Sequence, residues 1–209
     1  MINATHTSRS TAEKIKPLRR VGDFMELFPV MSELEFELTY PEIHQDVSQT
    51  LGMGFVPNIF RCVANVNPQL ALASWVMVKN NLCSGELSRV SKEILFSYIA
   101  YRRRCEYCHV AHHAMALKFG HNDQDIMEII QDINSVRNPL LKNVLLFGEA
   151  CLESNFNASD QTYGTLEVLG LEKEEITELI GMVSCALYMV NLADSLSVNI
   201  DSRFVERVA

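Results

Sequence analysis

The sequence predicts an all-α protein. Through most of the chain apolar residues recur at helical spacing, residues that start helices stand just before these stretches, and glycines close several of them. Almost no segment alternates as a half-buried strand would. The expected organisation is a single all-helical domain over residues 13–209, with eight or more helices of modest length, behind a flexible polar tail at residues 1–12.

In chain order, Pro29, Pro41 and Pro57 divide the first segment into short helices and turns, one of them around Leu34 to Leu38. The phrase L-G-M-G-F-V-P-N-I-F-R, from Leu51, carries two glycines and a proline, and predicts an irregular loop leading into a helix capped by Asn58. Pro68 opens a helix with Leu70, Leu72, Ala73, Trp75, Val76 and Val78 on its apolar surface, ending near Gly85. Ser88, followed by Ser91 and Glu93, starts the next, and Val90, Ile94, Leu95, Tyr98 and Ile99 keep its period.

Arg102, Arg103 and Arg104 interrupt that pattern. A boundary or kink there puts Cys105 at the amino end of a helix that runs to about Phe119 and closes at Gly120. Asn122 or Asp123 caps a helix over Ile126, Ile129, Ile130 and Ile133, and Asn138 with Pro139 opens one carrying Leu141, Val144, Leu145, Phe147 and Leu152. A shorter helix from about Ser159 to Leu169 ends at Gly170, and a long one runs from near Glu172 to about Val198. An offset of 81 residues lays Lys92, Glu93, Ile99 and Tyr107 on Lys173, Glu174, Ile180 and Tyr188, a faint repeat in which the second copy lacks the thiols.

The 209 residues are 48% hydrophobic and 21% charged, enough apolar content for a sizeable core. A balance of 18 Lys+Arg against 26 Asp+Glu gives −8 at pH 7, which opposes association with nucleic acid or an anionic membrane surface. The first residues contain no apolar run of the secretory type, so a reducing cytoplasm is the expected compartment. The uncharged run Leu179 to Ala193 is shorter than the roughly 20 residues a membrane helix needs. Of six cysteines, those at 62, 83, 151 and 185 read as small core residues.

The other two carry the chemistry. Cys105, Cys108 and His112 stand at i, i+3 and i+7, one face of a helix, and Glu93 lies twelve residues before Cys105. A thiol at a helix amino terminus gains from unpaired N–H groups and from the positive dipole end, with Arg103 and Arg104 adding charge, so a lowered thiol pKa is expected. A pair three residues apart also lies within disulfide reach. Read singly, Glu93 is a solvated first-turn carboxylate and His112 a surface histidine; together with the thiols they form a far more specific pattern. A structural zinc on Cys105, Cys108, His109 and His112 is the main competitor, but one straight helix presents only an i, i+4 ligand pair and no second cluster completes it. A thioredoxin-type pair follows a strand, which is missing here, and a Cys/His hydrolase leaves the second thiol unexplained.

This Glu, CxxC, His arrangement resembles the core motif of the alkylhydroperoxidase D-like members of the carboxymuconolactone decarboxylase superfamily. G-F-V-P-N-I-F-R before it, and G-L-E-K-E-E-I-T-E-L-I-G-M-V through N-L-A-D-S-L after it, look like the peroxidase-related branch, over residues of about 50–200. The resemblance implies a compact multi-helix fold, homo-oligomers (trimers or hexamers), and cofactor-free reduction of hydroperoxides at the expense of an external dithiol or lipoyl-type reductant protein. By position it makes Cys108 the peroxidatic thiolate, Cys105 its resolving partner, and Glu93 and His112 the proton relay. The chain departs from the pattern at Tyr107, which stands where a second relay histidine is expected and is a poor base at neutral pH. His109 is then either its substitute or a surface or interface residue. Two other activities stay open: acid–base lactone processing of the decarboxylase type, independent of thiols, and a non-enzymatic redox sensor or scaffold.

Overall fold

A computed structural model describes residues 28–154 and 156–208. The expected tail at residues 1–12 lies outside these, as does the start of the expected domain. Among the described residues there are eleven α-helices and no strand: α1 (Glu33–Thr39), α2 (Pro41–Thr50), α3 (Asn58–Val66), α4 (Pro68–Leu82), α5 (Arg89–Arg103), α6 (Glu106–Lys118), α7 (Asp123–Gln131), α8 (Pro139–Leu152), α9 (Phe156–Val168), α10 (Lys173–Leu196) and α11 (Ser202–Val208).

Local chemistry sets most of the boundaries. Ser88 Oγ accepts from the Ser91 N–H to start α5, Asn138 Oδ1 accepts from Leu141 N ahead of Pro139, and Glu172 with Glu175 forms a reciprocal capping box on α10. The end of α5 is closed by Arg104, which takes a left-handed φ of 62° while Cys105 N donates to Ala100 O at 2.9 Å. The arginine run is therefore a true break, and Cys105 is the N-cap of α6.

Several expectations change. Asn58 does not cap α3; Pro57 occupies that position and Asn58 is the first helical residue, its N–H taken by Asp201 Oδ2 at 2.9 Å. Helix α7 stops at Gln131, and Ile133 belongs to a separate 3₁₀ turn, Ile133–Ser135. Helix α2 lies in the segment where short helices were expected, whereas α11 was not anticipated. The 81-residue repeat does not survive either, because α10 runs unbroken across the stretch that corresponds to the α5–α6 break.

Helix α5 is the centre of the fold. It packs against α4, α6, α7, α8 and α10, and every residue from Lys92 to Ala100 is buried, so it has no solvent face through that stretch. Gly148 of α8 permits the close approach: a Cβ there would stand 2.7 Å from Leu95 Cδ1. By length and composition α10 is apolar enough to cross a bilayer, but Ile176, Leu179, Met182, Val183 and Val190 are buried in contact with the helices around them, which accounts for that apolarity. One continuous cluster of buried side chains extends from Met31 to Val198.

Because Arg104 holds a conformation that disfavours any Cβ, Arg104→Gly is expected to stabilise the protein by about 0.5–1 kcal/mol. Thermal unfolding would register this as a rise of about 1–4 °C in Tm.

Candidate active site

The α5–α6 pair brings two of the expected residues into direct contact. Glu93 Oε2 meets His112 Nδ1 at 2.6 Å, and Glu93 Oε1 accepts from Arg89 Nε, one turn earlier on α5, at 2.7 Å. Phe96 stacks flat on the His112 ring, with centroids 3.5 Å apart and planes at 15°. The imidazole is thus fixed by a hydrogen bond at one nitrogen and by a ring on its face, which leaves Nε2 for proton exchange. Glu93 is fully buried. Burial alone would raise its pKa, but the charges and hydrogen bonds of His112 and Arg89 outweigh that and hold the carboxyl below its ordinary range. It is not the solvated first-turn glutamate that its position alone suggests.

The thiols correct the expected electrostatics. Cys105 and Cys108 are both buried and reduced, with Cys108 in the first turn of α6. The hydrogen bond with the Cys105 side chain, together with burial, pushes the Cys108 thiol well above the ordinary cysteine range. Arg103 and Arg104 are exposed, and Arg102 is bound to Glu149 and Tyr98. Among the other cysteines, Cys62 and Cys185 are core residues as expected, while Cys83 and Cys151 are only half-buried.

Tyr107 is not placed as a base. Its hydroxyl accepts from Ile59 N at 3.0 Å and lies 3.4 Å from Asp201 Oδ2, and burial next to Asp201 drives its pKa well up. Tyr107 and Asp201 together satisfy the first N–H groups of α3, a capping role supplied from other parts of the chain. His109 is neither a surface residue nor a wall of the site. It is buried between α5 and α6, Nδ1 lies 3.0 Å from Ser97 Oγ, and its ring packs near Tyr101 and His113. Burial lowers its pKa to about 4.

Glu93, Cys108 and His112 line one cavity of about 50 Å³, and Cys105 does not. Apart from Arg89 and Tyr107 the remaining walls are apolar, among them Phe96, Met53, Met115, Met189 and Phe204. Arg89 had a sequence signal, the i, i+4 pairing with Glu93. Phe204 and Asp201 belong to the α11 region and carry no local sign of belonging near Cys108.

Tyr107→Phe should lower stability by about 1–3 kcal/mol, since it strands a buried N–H, while leaving the reactivity of Cys108 toward a small alkylating agent within a few-fold of wild type. For His109 the unfolded chain takes up a proton first. Stability should therefore fall as pH drops from about 6.5 toward about 4, by up to about 3 kcal/mol. Glu93 adds a separate loss at lower pH, as its depressed pKa is crossed. Denaturant melts across pH should show the first slope flattened in His109→Gln and the second retained.

No family model matches the chain, and no curated protein matches it in sequence. Solved structures do. An uncharacterized peroxidase-related protein from Silicibacter sp. TM1040 superposes with a TM-score of 0.74 at 16% identity, covering 87% of this chain and 94% of that one. The alkylhydroperoxidase AhpD core of an uncharacterized peroxidase-related protein from Ralstonia eutropha JMP134 gives 0.73 at 15%, covering 85% and 93%. The debrominase Bmp8 gives 0.68 at 16%, covering 88% and 98%, and its cysteine-to-alanine variant in complex with 2,3,4-tribromopyrrole matches equally well. The eleven-helix arrangement around the Glu93–His112 pair is thus the fold of the alkylhydroperoxidase AhpD core.

Proposed function

We propose that the protein is a thiol-dependent reductase of small hydroperoxides, with Cys108 as the attacking group, Cys105 as its resolving partner and Glu93–His112 as the proton relay. The observation that carries this reading is the convergence of Cys108, His112 and Glu93 on one apolar cavity, with a second thiol hydrogen-bonded behind the first. The likeness to peroxidase-related proteins supports it.

The resting Cys108 is a neutral thiol, so the reaction begins with a proton transfer. Glu93 holds the Nδ1–H of His112, and Nε2 takes the thiol proton. The thiolate attacks one peroxide oxygen; the S–O bond forms as the O–O bond breaks, and the departing alkoxide leaves as an alcohol with the proton from His112. Cys105 then attacks the sulfenic sulfur, releasing water and forming the 105–108 disulfide. An external dithiol, free or lipoyl-type on a protein, restores both thiols by exchange. All electrons come from thiols, so the scheme calls for no bound cofactor.

The debrominase likeness favours a second reading, in which the same two thiols replace C–Br by C–H and release bromide. Size puts it second. An apolar cavity that holds benzene measures about 150 Å³, against the 50 Å³ here, which favours the smaller hydroperoxide.

Peroxide consumption with dithiothreitol as reductant tests the proposal. Cys108→Ser should lose about two orders of magnitude or more, and Cys105→Ser should stall after one turnover at a sulfenic acid that dimedone traps. Equal rates for wild type and Cys108→Ser would overturn it, and lactone processing that survives blocking of both thiols would favour acid–base chemistry instead.

A further inference from the structure

One polar group on the cavity wall has no role in the scheme above. Arg89, the first residue of α5, gives Nε to Glu93, but its outer nitrogen Nη2 is shut off from solvent and has no hydrogen-bond partner among the described residues. The Cys83 thiol beside the guanidinium is only a weak acceptor. A buried charged donor left unpaired is costly, and such a group on a cavity wall points to an acceptor that enters from outside the chain. Glu93 pairs with Arg89 through Nε, but its second oxygen is committed to His112, so it offers Nη2 no acceptor.

The surroundings of Arg89 are also cationic, in a chain of net charge −8. The Phe119 ring is faced by the Arg89 guanidinium at 5.2 Å and by the Lys118 ammonium at 5.9 Å. Lys118 donates to Gly52 O, between the cavity-wall residues Leu51 and Met53, so it stands at the edge of the cavity. Partial burial, with the positive charges of Arg207 and Arg89, holds the Lys118 ammonium below the ordinary lysine range. Clustered cations of this kind attract a small anion and concentrate it at the site.

We propose that Arg89 Nη2 is the anion-binding corner of this cavity, and that the substrate class is a small organic acid whose carboxylate rests on Arg89 while its reacting atom faces Cys108. This rests on the reading of Cys108 as the attacking thiol; for the peroxidase it narrows the substrate to short hydroperoxides that bear a carboxylate.

The test uses reduced full-length protein and two electrophiles of nearly equal size, iodoacetate and iodoacetamide, with fragment mass spectra reporting the modification of Cys108. In both reactions the thiolate forms an S–C bond as iodide leaves, so no peroxidase turnover is needed. Wild type should react about ten-fold faster with iodoacetate, with saturation, the factor carried by one charge-assisted hydrogen bond. Arg89→Gln should bring the ratio to about one or below, and Arg89→Lys should keep part of the preference. Propionate should slow iodoacetamide modification of wild-type Cys108 in a saturable way, an arm that stands even if Arg89→Gln does not fold. Equal rates for the two reagents without propionate protection would overturn the proposal. Absent peroxide turnover with the alkylation preference intact would remove only the peroxidase reading.

Discussion

A carboxylate with no access to water is the constraint from which the rest of this structure follows. Moving such an ion out of solvent costs several kcal/mol, and only close, well-directed partners offset it. Glu93 has two, Arg89 on its own helix and His112 on the next, and each takes a different oxygen. The pairing joins α5 to α6, and it explains how the buried stretch of α5 from Lys92 to Ala100 tolerates a carboxylate. Core and candidate site are the same set of contacts. Phe96 illustrates this, since it is a core residue of α5 and also the plate on which the imidazole lies.

The Cys108 thiol shows which of two opposing effects wins. Its position in the first turn of α6 offers unpaired N–H groups and the favourable dipole end, together worth about 0.3–1 kcal/mol, less than one pKa unit. The hydrogen bond with Cys105 and then burial act the other way, and burial alone can move a buried group by several units. The balance leaves a protonated sulfur at rest, so the proposed reaction needs a base, and His112 is the candidate for it. In the proposed scheme the base one turn away is what separates this cysteine from a core thiol such as Cys185, which burial pushes up to about 12.

Much of this was legible in the sequence, and the limits have physical causes. The helical class, the break before Cys105, the starts at Ser88 and Asn138 and the closure at Gly120 all rest on side chains acting within a turn of themselves, and local chemistry reveals them. The grouping of Glu93 with His112 rests on the whole Glu, CxxC, His pattern and its resemblance to a known motif, since each residue read singly is an ordinary surface group. What was not readable depends on tertiary contact. Asn58 has a capping residue's identity but not its role, because Asp201 and Tyr107 reach the start of α3 from far along the chain. His109 sits next to Cys108 in sequence, yet helical geometry turns it away from the cavity and toward Ser97. The hydrogen bond with Cys105 and burial, not residue type, decided the direction of the thiol shift, and burial is a property of the whole fold.

The contact between Asp201 and Asn58 joins positions 143 residues apart, and Phe204, three residues past Asp201, lies on the cavity wall opposite helices from the middle of the chain. The hairpin of α5 and α6 closes over a short turn and depends on near neighbours, so its loop-closure entropy is small. The cavity in front of it takes walls from both α3 and α11, which is a far less local arrangement. The buried carboxylate and its histidine thus rest on contacts local in the chain, whereas the space beside the thiol is bounded by parts of the chain far apart in sequence.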